Sequence, residues 1–336
     1  MYPRPTRDLQ IPRQTLSTRP PVFVLEGGDP VDRAIHYSVT ETQSSQARGE
    51  ARVRVPFISA ANERRPGGDW ETGSSGYEEK LCRRSNLWAT LNTPWPGTGP
   101  SSGGGGGGGG GGSGSGSNYP IPPQGGILSN SVVVYRGPHD GYERLDGWYD
   151  LPVVSVPPTR WPKLRDNGTR YSFAQERDMM REKMRAALGI CLYNNYPRVV
   201  IGDFGLGNSY RNPPREVAEM WRDLFLFDPD IRGQFHYVVF VFDDAHRSTS
   251  HLIRDEMYKK ESKRGGGRAS VASAGAAAAA RIPHHHHPTE DCHGITREHG
   301  GLPTDLAIFE EIFDPREVQR VLSQPDPRYG LAMITS

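Results

Sequence analysis

The chain has 336 residues, including 40 glycines and 29 prolines, and its 40 Lys and Arg nearly balance its 39 Asp and Glu. That balance excludes a whole-chain field able to gather nucleic acid or anionic lipid, so any phosphate recognition has to be local. Cys82, Cys191 and Cys292 are too few and too scattered for a disulfide framework or a paired-cysteine zinc site, which points to a reducing compartment. No apolar run reaches the length of a membrane span, and the N-terminus lacks the apolar core of a signal peptide. The expectation is a soluble protein, cytoplasmic or nuclear, with no membrane or direct nucleic-acid partner and no oligomeric state written in the pattern.

Residues 1–20, rich in Arg, Pro and Thr without apolar periodicity, read as a disordered arm. A short buried strand follows at 22–25, stopped by Glu26-Gly27-Gly28-Asp29-Pro30, with a helix starting at 31–37. A second strand is expected over 52–60 and runs into the turn Pro66-Gly67-Gly68. From 77 to 91 the spacing becomes helical, with Leu81, Leu87, Trp88 and Leu91 on one face. Residues 96–118 are a Gly/Ser insertion with ten consecutive glycines, Gly103 to Gly112. No strand precedes it and no Lys-Ser/Thr ends it, so it reads as a linker and not as a phosphate loop.

Strand-like chain resumes at 127–135 and 151–156, and a helix spans 174–193 with Met180, Met184, Ala187, Leu188 and Cys191 on its core side. Next comes the most regular stretch: strand 198–201, glycine loop 202–212, helix 213–227, strand 237–242. Two β-branched strands joined by a helix make a βαβ unit, whose strands pair in parallel through a right-handed crossover, and the fold class is α/β. Beyond a charged helix to about residue 262, low-complexity chain fills 263–303. Residues 304–322 carry Leu306, Phe309, Ile312 and Phe313 at helical spacing. The organisation is thus an arm over 1–20, one domain over 21–262 interrupted at 96–118, an insertion over 263–303, and a C-terminal helix in 304–336 that packs back on the domain.

Two features can do chemistry. Tyr77-Glu78-Glu79 opens a helix directly after a glycine turn, which places two carboxylates in its first turn. Successive helical residues point about 100° apart, so the two acids serve different jobs. A proton donor needs a raised pKa, and partial burial beside a second carboxylate supplies it. The loop Gly202-Asp203-Phe204-Gly205-Leu206-Gly207-Asn208-Ser209-Tyr210-Arg211-Asn212 joins a strand to a helix, with Asn212 as the expected N-cap. Its free amides and Arg211 form a candidate cradle for a diphosphate, with a plain strand-to-helix turn as the alternative. His284 to His287, with Cys292, His293 and His299, lack structural zinc spacing, and no metal is expected. Cys82 has no histidine partner in sequence and reads as packing.

The segment Pro66-Gly67-Gly68-Asp69-Trp70-Glu71-Thr72-Gly73-Ser74-Ser75-Gly76-Tyr77-Glu78-Glu79-Lys80-Leu81-Cys82-Arg83-Arg84-Ser85 resembles the signature of the microbial-type poly(ADP-ribose) glycohydrolases: a glycine triplet, a spacer, Gln-Glu-Glu and a Leu-Cys-Arg-Arg-Ser run. Ser59-Ala60-Ala61-Asn62 is similar to the strand end before that turn, 200–214 to the family's diphosphate loop, and Leu25 to Asp29 to the Gly-Asp segment with which macrodomains contact adenine. The chain departs from the pattern at Asp69, Tyr77 and Leu206. The resemblance implies a macrodomain-like three-layer α/β/α sandwich with a mixed, largely parallel central sheet. It implies a cofactor-free hydrolase acting on ADP-ribose or poly(ADP-ribose) carried by modified proteins. Glu79 is then the catalytic acid and Glu78 the carboxylate gripping the ribose hydroxyls. Asn62 adds to the substrate site, and Gly67 and Gly68 admit the distal ribose. Gly205, Gly207 and Arg211 line the diphosphate, and Asp29 accepts from adenine. A weakly active or inactive ADP-ribose-binding module, or a scaffold, stays open as the alternative.

Overall fold

The computed structural model describes residues 1–2, 9–12, 17, 19–94, 117–266 and 301–324. Its strands are β1 (Val22–Gly27), β2 (Phe57–Ala60), β3 (Ile127–Arg136), β4 (Arg144–Val156), β5 (Leu164–Arg165), β6 (Arg170–Tyr171), β7 (Arg198–Ile201) and β8 (Tyr237–Phe242). Its helices are α1 (Pro30–Ala47), α2 (Tyr77–Arg84), α3 (Leu87–Asn92), α4 (Ala174–Tyr193), α5 (Gly207–Tyr210), α6 (Pro214–Phe227), α7 (Thr249–Gly266), α8 (Asp305–Ile312) and α9 (Pro315–Leu322). Six strands form one sheet in the order β1-β8-β7-β2-β4-β3, while β5 and β6 make a small separate hairpin. Every pairing in the large sheet is parallel except β3 with β4 at one edge.

Strand alternation feeds two cores. Ile58, Val199, Ile201, Val238 and Phe240 point to one face, where they meet Met180, Leu188, Trp221 and Phe309 from α4, α6 and α8. Phe57, Val200, Val239 and Val241 point to the other, against Val31, Leu81, Leu87 and Leu91 from α1, α2 and α3. Helices on both faces give the expected three-layer α/β/α sandwich with a mixed, largely parallel sheet. Among the described residues no helix is long and apolar enough to cross a membrane.

Several elements differ from the expected ones, each for a local reason. The second strand holds only four residues, because the chain before it bonds to α1 side chains: Val55 N–H donates to Ser38 Oγ at 3.0 Å and Thr42 donates to the Val53 carbonyl at 2.8 Å. The single helix expected over 77–91 is two. At Ser85 the backbone is extended, bridges Val134, and is followed by Asn86, whose Oδ1 accepts from Val133 N–H. Pairing with the edge strand β3 thus replaces one helical turn, and Trp88 ends up 40% exposed instead of in the core. The C-terminal helix likewise splits at Asp314, which caps α9 through Arg316 N–H at 2.8 Å just before Pro315. Within the stretch expected to be a disordered arm, Tyr2 exchanges backbone hydrogen bonds with Gly126. Phe309 and Phe313 seat α8 against Phe240, with centroids 5.2 and 4.8 Å away.

Candidate active site

The carboxyl ends of the parallel strands gather the candidate residues, the usual place for a ligand in an open α/β sheet. Asp29 follows β1, Asn62 follows β2, the loop 202–212 follows β7, and Asp243 to Ser248 follow β8. A cleft of about 920 Å³ opens there, with Asn62, Glu79, Arg160, Gly207, Arg211 and Arg247 among its walls. A larger groove of about 1150 Å³ lies across α6, α8 and α9. It shares no lining residue with the cleft, and arginines such as Arg215 and Arg320 are paired with Glu311 and Glu317, so we place no chemistry there.

The acidic pair occupies the first turn of α2, and the two acids have unlike surroundings. Glu79 faces the cleft, enclosed between the Gly68 and Gly76 backbones, and a β-carbon on either glycine would run into its carboxylate. Burial raises its pKa above the ordinary value, against the lowering pull of Arg83, Arg160 and Arg65. Glu78 points inward and is 1% exposed. Its Oε2 accepts from Asn62 N–H at 2.6 Å and Tyr119 lies 3.5 Å from Oε1, while burial pushes its pKa up to about 8. Glu78 is therefore not among the cleft-lining residues, and its hydrogen bond to the cleft wall goes to the Asn62 backbone.

The rest of the signature holds this turn in place. Arg83 ties the spacer back to α2 by donating to the carbonyls of Trp70, at 2.8 Å, and Ser74. The buried Arg84 bonds the Arg136 carbonyl at 3.0 Å, Asp29 at 2.9 Å and Asp32 at 2.5 Å, joining α2 to the start of α1. Gly67 and Gly68 have φ of 69° and 54°, and a β-carbon on Gly67 would lie 2.9 Å from Cys82 Sγ. Asp69, the first departure, has φ of −101°, so it needs no glycine there; its exposed side chain pairs with Arg65. Tyr77, the second, turns its hydroxyl toward the buried Asp203. Cys82 is buried, which pushes its thiol up and fits a packing role.

The glycine loop is more committed than its sequence suggests. Asn212 does not cap α6, where Pro213 occupies the N-cap; instead its Nδ2 donates to the Gly205 and Thr159 carbonyls at 2.7 and 2.8 Å and its Oδ1 accepts from Tyr171 at 2.7 Å. Gly205, at φ of 80°, sits against Met180 and Asn212 and does not line the cleft. Gly207 does line it, at φ of 72°, yet its amide donates to Thr249 Oγ1 at 2.7 Å. The amides free to face a ligand are the following ones of the one-turn helix α5, those of Asn208 and Ser209, which have no intrahelical acceptor. Leu206, the third departure, is a buried wall residue. Arg211 adopts a left-handed backbone, stacks 4.2 Å from the Trp161 ring centroid and pairs with Glu256 at 3.4 Å, at the cleft's edge.

The pattern gave no sign of two further cations of the cleft. Arg160 lies just past β4 and over the Tyr210 ring, and Arg247 just past β8, paired with Asp203 at 2.9 Å. A basic residue a few positions beyond an apolar strand is the signal that would have found both. Among the described residues, Asp29, His139 and Asp243 bring potential ligand atoms within 4.8 Å of one another. Arg84 and Lys80 already neutralise the two carboxylates, which leaves little charge for a cation. The histidine run at 284–287, with Cys292, His293 and His299, lies outside the described residues.

Residues 21–97 match the model of the microbial-type PARG catalytic domain. The matched segment holds Asp29, Asn62, the glycine turn and both acids. No curated protein matches the chain. Among solved structures, poly(ADP-ribose) glycohydrolase from Deinococcus radiodurans in complex with ADP-ribose is similar at 19% identity, over 72% of this chain and 86% of that one, with a TM-score of 0.47. The enzyme from Thermomonospora curvata is similar at 19% identity, over 75% and 84%, with a TM-score of 0.48. Its complex with the inhibitor ADP-HPD matches at 20% identity, over 70% and 79%, with a TM-score of 0.44.

Proposed function

We propose that this protein binds ADP-ribose and hydrolyses the ribose–ribose glycosidic bonds of poly(ADP-ribose), with Glu79 as the acid. One observation carries the reading: a carboxyl group with a raised pKa is enclosed by two glycine backbones on the wall of a cleft lined by Arg160, Arg247 and the start of α5. The family match over 21–97 supports it, since it covers that turn. The distal ribose lies over Gly67 and Gly68. Glu79 gives its proton to the leaving ribose oxygen as the anomeric C–O bond breaks, an oxocarbenium-like transition state forms, and water adds to the anomeric carbon and returns a proton to Glu79.

Glu78 holds the Asn62 backbone, and through Asn62 it shapes the contact with the ribose hydroxyls. The diphosphate meets the Asn208 and Ser209 amides, with Arg160, Arg247 and Arg211 supplying positive charge. Asp29 Oδ1 is taken by Val31 N–H, Asp32 N–H and Arg84, so acceptance from the adenine amino group falls to Oδ2. Polymer on modified proteins is the substrate class we assign. Incubation with labelled polymer, together with the Kd for free ADP-ribose, tests the reading. Release of ADP-ribose by the wild-type protein and its loss in Glu79→Gln are expected; affinity without turnover would leave a binding module, and neither would end the proposal.

A further inference from the structure

The geometry points to Thr249 and Asp305 as positioning residues for the diphosphate-facing loop, which makes the C-terminal helix α8 a working part of the binding site; this rests on the reading of the cleft given above. Neither side chain lines the cleft. Both are buried, Thr249 at 0% and Asp305 at 1% exposure. They act through Gly207, which does line it.

The three groups form one directed chain. Asp305 Oδ2 accepts the Thr249 hydroxyl proton at 2.6 Å, and its Oδ1 accepts from Thr249 N–H at 2.8 Å. A hydroxyl has one proton, so with it committed to the carboxylate the oxygen can only accept on its other side, where Gly207 N–H donates at 2.7 Å. The sequence of bonds, amide to hydroxyl to carboxylate, therefore has a fixed direction, and each bond polarises the next. It holds Gly207 at φ of 72° and aims the following amides of α5 outward.

The anchor's far end is secured independently. Asp305 is the first residue of α8, where its charge meets the positive end of the helix dipole. Its N–H donates to the Arg247 carbonyl at 2.9 Å, Thr304 caps the helix by accepting from Ala307 N–H, and Phe309 and Phe313 fix α8 on the sheet. A segment distant in sequence thus fixes the Gly207 amide, which directly precedes the amides that face the diphosphate.

The test uses the full chain and three variants: Thr249→Val, which keeps shape and removes the hydroxyl, Thr249→Ser, which restores it, and Asp305→Asn, which cannot accept both bonds. Hydrogen exchange of the Gly207 amide is measured beside ADP-ribose and adenosine affinities, at a temperature where melting scans show each variant folded. Thr249→Val and Asp305→Asn are expected to speed Gly207 exchange at least about tenfold and weaken ADP-ribose about tenfold, with adenosine changed by less than about twofold. Thr249→Ser should return all three to near wild type. Unchanged exchange in Thr249→Val overturns the anchor. Faster exchange with unaltered ADP-ribose affinity, or equal losses for both ligands, overturns the positioning role. A wild-type protein that fails to bind ADP-ribose counts against the function proposed above, while the exchange comparison still decides whether the anchor exists.

Discussion

Glu78 and Glu79 are adjacent in sequence but differ in what their protonation does. Glu79→Gln keeps the shape and loses the transferable proton, so it is expected to abolish polymer hydrolysis while ADP-ribose affinity stays within about tenfold. Near-normal turnover in that variant, in a preparation free of other hydrolases, would remove Glu79 as the acid. Glu78 instead reports through stability. Its ordinary value lies near 4.5 and burial pushes it up to about 8 in the folded protein. Between these values the native state holds a proton that the unfolded chain has lost, so stability is full below the lower value and declines as pH rises through the window. Asp305, raised to about 7 by burial, adds in the same direction. The neutral amide of Glu78→Gln is exempt. Its Tm relative to wild type should therefore climb between pH 5 and pH 8 by several degrees, at about 2–4 °C per kcal/mol for a domain of this size. A Tm difference independent of pH would show that Glu78 is not a buried, protonated acid. At Asp69 the expectation is small: Asp69→Gly restores the glycine triplet at an exposed position with an ordinary backbone, and ADP-ribose affinity should stay within about threefold, about 0.7 kcal/mol.

At the scale of elements, the two glycines of the β7–α5 loop should respond differently to substitution. Gly205→Ala places a methyl group against Met180 at φ of 80°, combining a clash with a strained backbone, and should lower Tm by several degrees. At Gly207 the nearest atoms to a β-carbon are 3.7 Å away on Arg247, so space is adequate and the φ of 72° is the obstacle. Gly207→Val is therefore expected to weaken ADP-ribose by at least about tenfold, about 1.4 kcal/mol, and to spare adenosine. Equal losses for both ligands would mean general damage. The same stretch shows what the sequence can reveal. Helix α4 and strands β7 and β8 sit where their apolar runs put them, and the two strands are buried at consecutive positions because helices cover both faces of the sheet. The break at Ser85 was not legible, since it depends on pairing with Val134, far along the chain. Likewise the acidic pair and glycine turn form a local motif that can be read from order and spacing, whereas Arg160, Arg247 with Thr249, and Asp305 come from three separate segments and meet only once the sheet is built.

The two insertions place different constraints on the whole molecule, and geometry separates them. The first is closed at its base: Asn118 Nδ2 donates to the Leu91 and Thr93 carbonyls at 3.0 and 2.6 Å, so its two ends are already side by side. Removing residues 103–116, a Gly/Ser tract with nothing to form a core, should leave Tm within about 2 °C, because closure entropy grows slowly with loop length. The second insertion has farther to travel. Helix α7 has 18 residues and is about 27 Å long at 1.5 Å per residue. The chain leaves from its end at Gly266 but must return to its beginning, where Ser248 donates to the Pro303 carbonyl at 2.9 Å and Asp305 N–H bonds the Arg247 carbonyl. An extended chain covers at most about 3.3–3.6 Å per residue, so about eight residues is the shortest possible return. Deleting 269–287 leaves more than that and should preserve both Tm and ADP-ribose affinity. Trimming the connection to about five residues cannot span the helix, so either the end of α7 unwinds or α8 lifts off. In the second case Asp305 leaves Thr249, and ADP-ribose affinity should fall together with Tm by calorimetry and thermal scanning. If the five-residue connection kept full affinity and Tm with no loss of helix by circular dichroism, α7 would not have unwound, α8 could not be docked as described, and the anchor on Gly207 would fall with it.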